Sequence, residues 1–153
     1  MKFTTELNDV ITSAMIIAES CRNKLLTPEH LLLAALNEEK MTDFIESLDL
    51  DGYLTLVEVK AQLRDYIERL DFEARDEPTH ELFASHQYGE LMQLLEKHCE
   101  ANSVEVVGLP DLFDYILQLK ESNAATELDG LLGDDRDSFF ARLNDTYLPM
   151  LKA

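Results

Sequence analysis

Apolar residues recur along this chain at intervals of three and four. Leu7, Val10, Ile11, Ala14, Ile17, Ala18 and Cys21 form the first such stripe, which predicts an amphipathic helix over roughly residues 5 to 22. The segment CRNKLL interrupts it. Thr27, Pro28 and Glu29 then make a helix start: a hydroxyl to cap, a proline suited to the first helical position, and a carboxylate at the positive end of the dipole. Leu31 to Leu36 continue as a short, heavily buried helix, TDFIESL is another, and LDLDGY is a turn at Gly52. Leu56, Val59, Leu63, Tyr66, Ile67 and Leu70 mark a longer helix after it. The charged run DFEARDEPTH contains Pro78 and has no period, so it predicts a linker. Beyond it Tyr88, Leu91, Met92, Leu95 and Cys99 repeat the helical stripe, ANSVEVVG is a loop, and LPDLFDYILQL is a short buried helix. SNAATELDGLL, a turn at GDDRD, and a last stripe of Phe140, Leu143, Tyr147 and Leu151 complete the order.

That order is the same twice over, which predicts an internal duplication. Adding 78 carries Val10 to Tyr88, Ala14 to Met92, Ile17 to Leu95 and Cys21 to Cys99, apolar onto apolar. After a three-residue insertion the shift becomes 81, carrying Leu31 to Leu112, Leu32 to Phe113 and Ala35 to Ile116. The expected fold is all-α, with about eight helices in two pseudo-symmetric four-helix repeats around a shared core. Repeat one spans about residues 4–73, the linker about 73–79 and repeat two about 79–152, within a single domain over 1–153. In this register the two cysteines occupy equivalent places, as buried, reduced, small hydrophobes.

Composition supports helix: 5 Gly and 4 Pro in 153 residues, with 46% hydrophobic, are too few breakers for a loop-rich chain and too much apolar content for disorder. A formal charge of −18 repels phosphate backbones and anionic headgroups, excluding nucleic acid and membrane surfaces as partners. No apolar run approaches the roughly 18 residues of a membrane span, and the acidic start MKFTTELNDV precedes any signal-like core, so a cytoplasmic location is expected. The calcium-loop template fails, because Gly52 is fourth, not sixth, in the loop counted from Asp49, and the segment from Asp134 has no glycine in place. His80, His86, His98 and Cys99 follow no metal-ligand spacing, and neighbouring His98 and Cys99 project about 100° apart on a helix. No G-x-x-x-x-G-K-[ST] loop is present to cradle nucleotide phosphates. No catalytic residue, metal or cofactor is expected in this segment.

The segment KLLTPEHLLLAAL, Lys24 to Leu36, inside a duplicated helical unit of this length, resembles the Clp N-terminal domain, strongly in the first repeat and weakly in the second, where the motif has become GLPDLFDYIL. The resemblance implies a double repeat of eight helices that recognises an adaptor protein or client polypeptide for a Clp ATPase and protease machine. ATP would belong to attached ATPase modules. An alternative within the same resemblance is a free-standing accessory protein that regulates such a machine. It further implies a partner-binding surface at Glu29, with Thr27, and at Pro78 and Thr79 opening the second repeat. Their counterparts in the second repeat are Pro110, which replaces the second motif glutamate, and Asp111, which a shift of one residue brings into its place; a paired phosphoarginine site is thus not completed. The residues also admit plainer roles: Glu29 as a dipole partner, Thr79 as a helix cap, and His30 as a helix residue with satisfied ring nitrogens.

Overall fold

The computed structural model describes residues 1–70 and 81–152. The protein is all-α. Helices α1 (Thr5–Ser20), α2 (Pro28–Asn37), α3 (Glu39–Ser47) and α4 (Leu56–Arg69) form the first repeat, and α5 (His86–Asn102), α6 (Leu109–Gln118), α7 (Asn123–Leu132), α8 (Arg136–Arg142) and α9 (Leu148–Leu151) the second. The linker expected at about 73–79 falls outside the described residues. Several helix starts explain themselves chemically. Thr4 and Ser85 accept hydrogen bonds from Leu7 N and Tyr88 N, at 3.2 and 3.1 Å, to cap α1 and α5. Thr55 and Glu58 close a reciprocal capping box on α4, which holds the exposed Glu58 carboxyl below its ordinary pKa through hydrogen bonds from Thr55.

Four two-residue strands, not foreseen in the sequence, stitch the repeats together. β1 (Lys2–Phe3) lies parallel to β4 (Val106–Val107), and β2 (Leu25–Leu26) lies parallel to β3 (Phe83–Ala84). Every strand therefore pairs across the repeats. The bonds obey one rule: Lys2 N to Glu105 O and Thr4 N to Val107 O on one side become Phe83 N to Lys24 O and Ser85 N to Leu26 O on the other, a shift of 81 in both directions. That reciprocity is a pseudo-two-fold axis.

The same shift of 81 holds for α1 and α5, which corrects the expected 78. The caps Thr4 and Ser85 obey it, and so do the two left-handed residues that end these helices, Arg22 (φ 56°) and Ser103 (φ 53°). Asn23 N then bonds Ala18 O, and Val104 N bonds Cys99 O, in matching Schellman closures. In this register Leu7, Val10, Ala14 and Ala18 answer to Tyr88, Leu91, Leu95 and Cys99, whereas Cys21 answers to Asn102. The two cysteines are not equivalent: both are free thiols, but Cys99 is buried and Cys21 is only half-buried. A shift of three is close to one helical turn, so an apolar stripe matches itself almost equally well under 78 and 81. Caps and strands break the tie.

The core runs through both halves, from Leu31, Leu32 and Leu63 to Phe113, Leu128 and Phe139. Phe139, not the expected Phe140, enters it, within 5.5 Å of the Phe113 ring centroid and 6.2 Å of that of Phe44. The last predicted helix is divided: α8 passes through a π-turn, Leu143–Tyr147, into α9. Pro149 has no N–H for the carbonyl one turn back and its ring crowds that carbonyl, so the chain widens there, with Leu148 N reaching Leu143 O. A second tie between repeats forms where the α3–α4 loop lies on the end of α7. Leu54 N donates to Gly130 O at 3.0 Å, Asp51 N to Asp135 Oδ2 at 2.7 Å, and a Cβ on Gly52 would fall inside the Gly130 and Leu131 carbonyls.

Candidate functional site

The motif that opens α2 folds inward. Thr27 caps the helix by accepting from His30 N at 3.3 Å, and Thr27 N donates to His30 Nδ1 at 3.0 Å, so the histidine takes the place a glutamate holds in the usual capping box. With Nδ1 accepting, Nε2 carries the proton and donates to Asn23 Oδ1 at 2.9 Å. Asn23 passes the connection on, its amide donating to the carbonyls of Ile67 and Leu70, each at 3.0 Å. Thr27, His30 and Asn23 thus tie the starts and ends of α2, α1 and α4 together in the interior.

Glu29 is fully buried as well. Its Oε2 accepts from Ala124 N at 2.8 Å, adding a second cap to α7 beside Ser122, whose hydroxyl accepts from Ala125 N at 3.0 Å. Oε1 is buried without a hydrogen-bond partner among the described residues. Burial pushes the carboxyl above the usual carboxylate range, opposed by the Ala124 amide, its own amide and the Thr27 hydroxyl. The exposed polar patch expected at Thr27 and Glu29 is therefore corrected: both side chains lie inside the protein, because the carboxylate of one repeat serves the helix start of the other. Pro78 and Thr79 lie outside the described residues.

The second repeat keeps the geometry with other residues. A shift of 81 sets Gly108 against Thr27, Pro110 against Glu29 and Asp111 against His30. Asp111 Oδ2 accepts from Gly108 N at 2.9 Å, as His30 Nδ1 does from Thr27 N, so Asp111 is the counterpart of the capping histidine and not of the glutamate. Its other oxygen faces His98 Nε2 at 3.3 Å, and His98 Nδ1 meets the Tyr115 hydroxyl at 3.0 Å. Asp111 and Pro110 are both half-buried, more open than Glu29. Among the described residues no three His, Cys, Asp or Glu side chains gather as a metal site requires, and no helix is long and apolar enough to cross a membrane.

What the surface does offer is a pair of grooves at related places. One, of about 280 Å³, lies between α1, the α2–α3 junction and the end of the chain; the other, of about 440 Å³, lies between α5, the end of α6 and the start of α7. Neither was legible in the sequence, since each gathers residues from segments separated along the chain.

A double helical repeat, crossed by parallel two-residue strands and opened by a T-P-E-H motif, defines the class of module this is. The sequence matches the family model described as Clp repeat (R) N-terminal domain over residues 2–131, and the chain belongs to that family. Among solved structures it is similar to the N-terminal domain of Hsp104 from Candida albicans, at 16% identity and TM-score 0.57, covering 87% of this chain and 93% of that one. It is also similar to a structure described under preliminary investigations of a malarial protein secretion system, at 16% identity and TM-score 0.65, covering 97% and 99%. These two likenesses concern the fold. The comparison with curated proteins gave no significant match.

Proposed function

We propose that this chain is a polypeptide-recognition module of a Clp-family unfoldase system, which binds an adaptor protein or a client polypeptide, hands it to an ATPase ring in the cytoplasm, and performs no chemistry itself. The observation that carries the reading is membership of the Clp N-terminal repeat family over residues 2–131. Two further features support it. The rigid, doubly tied core leaves the surface grooves as the places where another chain can lie, and the charge of −18 disfavours nucleic acid and anionic lipid as occupants. ATP would be bound by the partner ATPase modules, whether joined to this chain or acting beside it.

The test is direct. The immobilised 153-residue chain is titrated with a permanently unfolded, reduced and carboxymethylated polypeptide and with the folded form of the same protein, by interferometry. Saturable binding of the unfolded form alone supports the reading; equal signals, or none from either, overturn it as a client-recognition role.

A further inference from the structure

The groove between α1, the α2–α3 junction and the chain's end has an apolar floor of Val10, Ala34, Ala35, Met41 and Leu109. Three carboxylates, Glu6, Asp9 and Glu38, stand around it with one cation, Lys40. Among the described residues none of these four makes an ion pair or a side-chain hydrogen bond. Tyr147 lines the same groove. Its side chain is packed against Phe44, at 5.1 Å between ring centroids, and the residue is only 1% exposed, yet its hydroxyl has no hydrogen-bond partner among the described residues. Burial, then the nearby Glu38 and Glu6 carboxylates, pushes this phenol up to about 12, so the hydroxyl keeps its proton and remains a donor. The ring is buried but the hydroxyl is not enclosed, so a donor and a ring of unpaired acceptors line the same open groove, available to a docked chain.

The duplication supplies an internal control. Shifted by 81, Glu6 becomes Gln87 and Glu38 becomes Leu119, whereas Asp9 keeps a carboxylate as Glu90; in the second groove Glu90 and Glu121 are offset by Lys97 and Lys120. The fold itself therefore does not require an excess of carboxylates around such a groove: the first has three against one lysine, the second two against two.

We infer that the first groove is a docking site for a short polypeptide segment carrying Lys or Arg beside a bulky apolar side chain. The apolar side chain lies on the floor, the cation is held by Glu6, Asp9 and Glu38, and the Tyr147 hydroxyl donates to a backbone carbonyl of the docked segment. Charge complementarity selects this occupant: a neutral or acidic segment would meet the same floor but face unpaired carboxylates, and this chain's own surface, at a net −18, is a poor match. The inference rests on the polypeptide-recognition reading and assigns it a place and a chemistry.

The probe is a blocked nonapeptide alternating Leu with Lys and Arg, labelled with a fluorophore, titrated into the 153-residue chain by anisotropy. Control peptides exchange the cations for Glu, or the Leu for Ser. The expected result is saturable binding of the first peptide only, at least about tenfold weaker in a Glu6→Gln, Asp9→Asn, Glu38→Gln variant, and weakening as salt rises. Tyr147→Phe should lose several-fold in affinity while its melting temperature holds. Should the triple variant melt early, Lys40→Glu stands in for it, with affinity expected to rise. Binding unaffected by all these variants, or equal for the acidic peptide, overturns the groove. The permanently unfolded polypeptide, run in competition, separates the two readings. If it binds and the basic peptide does not, the groove fails and client recognition stands; if the basic peptide binds and the polypeptide does not, the groove stands and client recognition fails.

Discussion

Glu29 shows how much one side chain can be asked to do. A carboxylate taken out of water loses its hydration, and here, among the described residues, only Oε2 regains a hydrogen bond, from Ala124 N at the positive end of α7. The outcome is a carboxyl whose pKa is raised in the fold, with burial as the leading cause. The sign follows: between its ordinary value and the raised one the folded state holds more protons than the unfolded chain, so this group subtracts stability as pH rises through that window, and the penalty is complete above it. Glu29→Gln removes the titration and keeps an oxygen for Ala124 N. The melting temperature of Glu29→Gln relative to the unmutated protein should therefore become more favourable from pH 4 to pH 7.5; a difference independent of pH would refute the account. Charge reversal is harsher. Glu29→Lys sets an ammonium against an amide end in the interior, and should cost about 3 kcal/mol or more, lowering the denaturation midpoint by urea rather than sparing it. Asn23 bears a comparable duty, joining His30 to the Ile67 and Leu70 carbonyls. Asn23→Ala leaves these groups unpaired and should cost about 3 kcal/mol, read by the same titration.

At the scale of elements, the ties between repeats depend on backbone meeting backbone. The α3–α4 loop can lie on α7 only because Gly52 has no Cβ: one methyl there would fall inside two carbonyls that have no freedom to move aside. Gly133, at φ 54°, faces the Gly52 Cα from the other side. Gly52→Ala should then cost about 2 kcal/mol or more, in the range of backbone and overpacking effects. Gly89→Ala, where an added methyl meets nothing and the residue lies within α5, should instead be neutral or gain up to about 1 kcal/mol. Paired thermal melts of the two variants decide the matter, and similar losses from both would contradict this geometry. The strand pairs act in the same way, each closing with two backbone bonds between segments far apart in the chain, Lys2 to Glu105 in one pair and Lys24 to Phe83 in the other.

For the whole molecule, these ties mean that neither repeat is complete by itself. Residues 1–70 would lack partners for β1 and β2 and leave Glu29 without Ala124, while the second half would lose a cap on α7 and the Phe44 ring packed against Phe139 and Tyr147. Fragments 1–80 and 81–153, made separately, should show little helical circular dichroism, and should regain it on mixing. Stable, cooperatively melting fragments would show that the repeats are independent units. A single core of this kind also encloses the side chains of the T-P-E-H motif and leaves the grooves between segments open.

The helical periods, the T-P start of α2, the duplication and the family were legible in the residues, because each is a local pattern repeated along the chain. Apolar stripes fixed which faces are buried but not the shift between repeats, since α1 slid by three residues along α5 still sets apolar on apolar; the caps Thr4 and Ser85 and the strand bonds chose 81. Glu29 looked like a surface carboxylate for the same reason. Its partner, Ala124 N, lies 95 residues away, and no local pattern announces an amide that only folding brings to it. The first groove, too, exists only where α1, the α2–α3 junction and Tyr147 converge. Sequence determined the pieces and their likeness to each other; the pseudo-two-fold packing decided which polar groups were enclosed, because only tertiary structure sets one repeat's side chains against the other repeat's backbone.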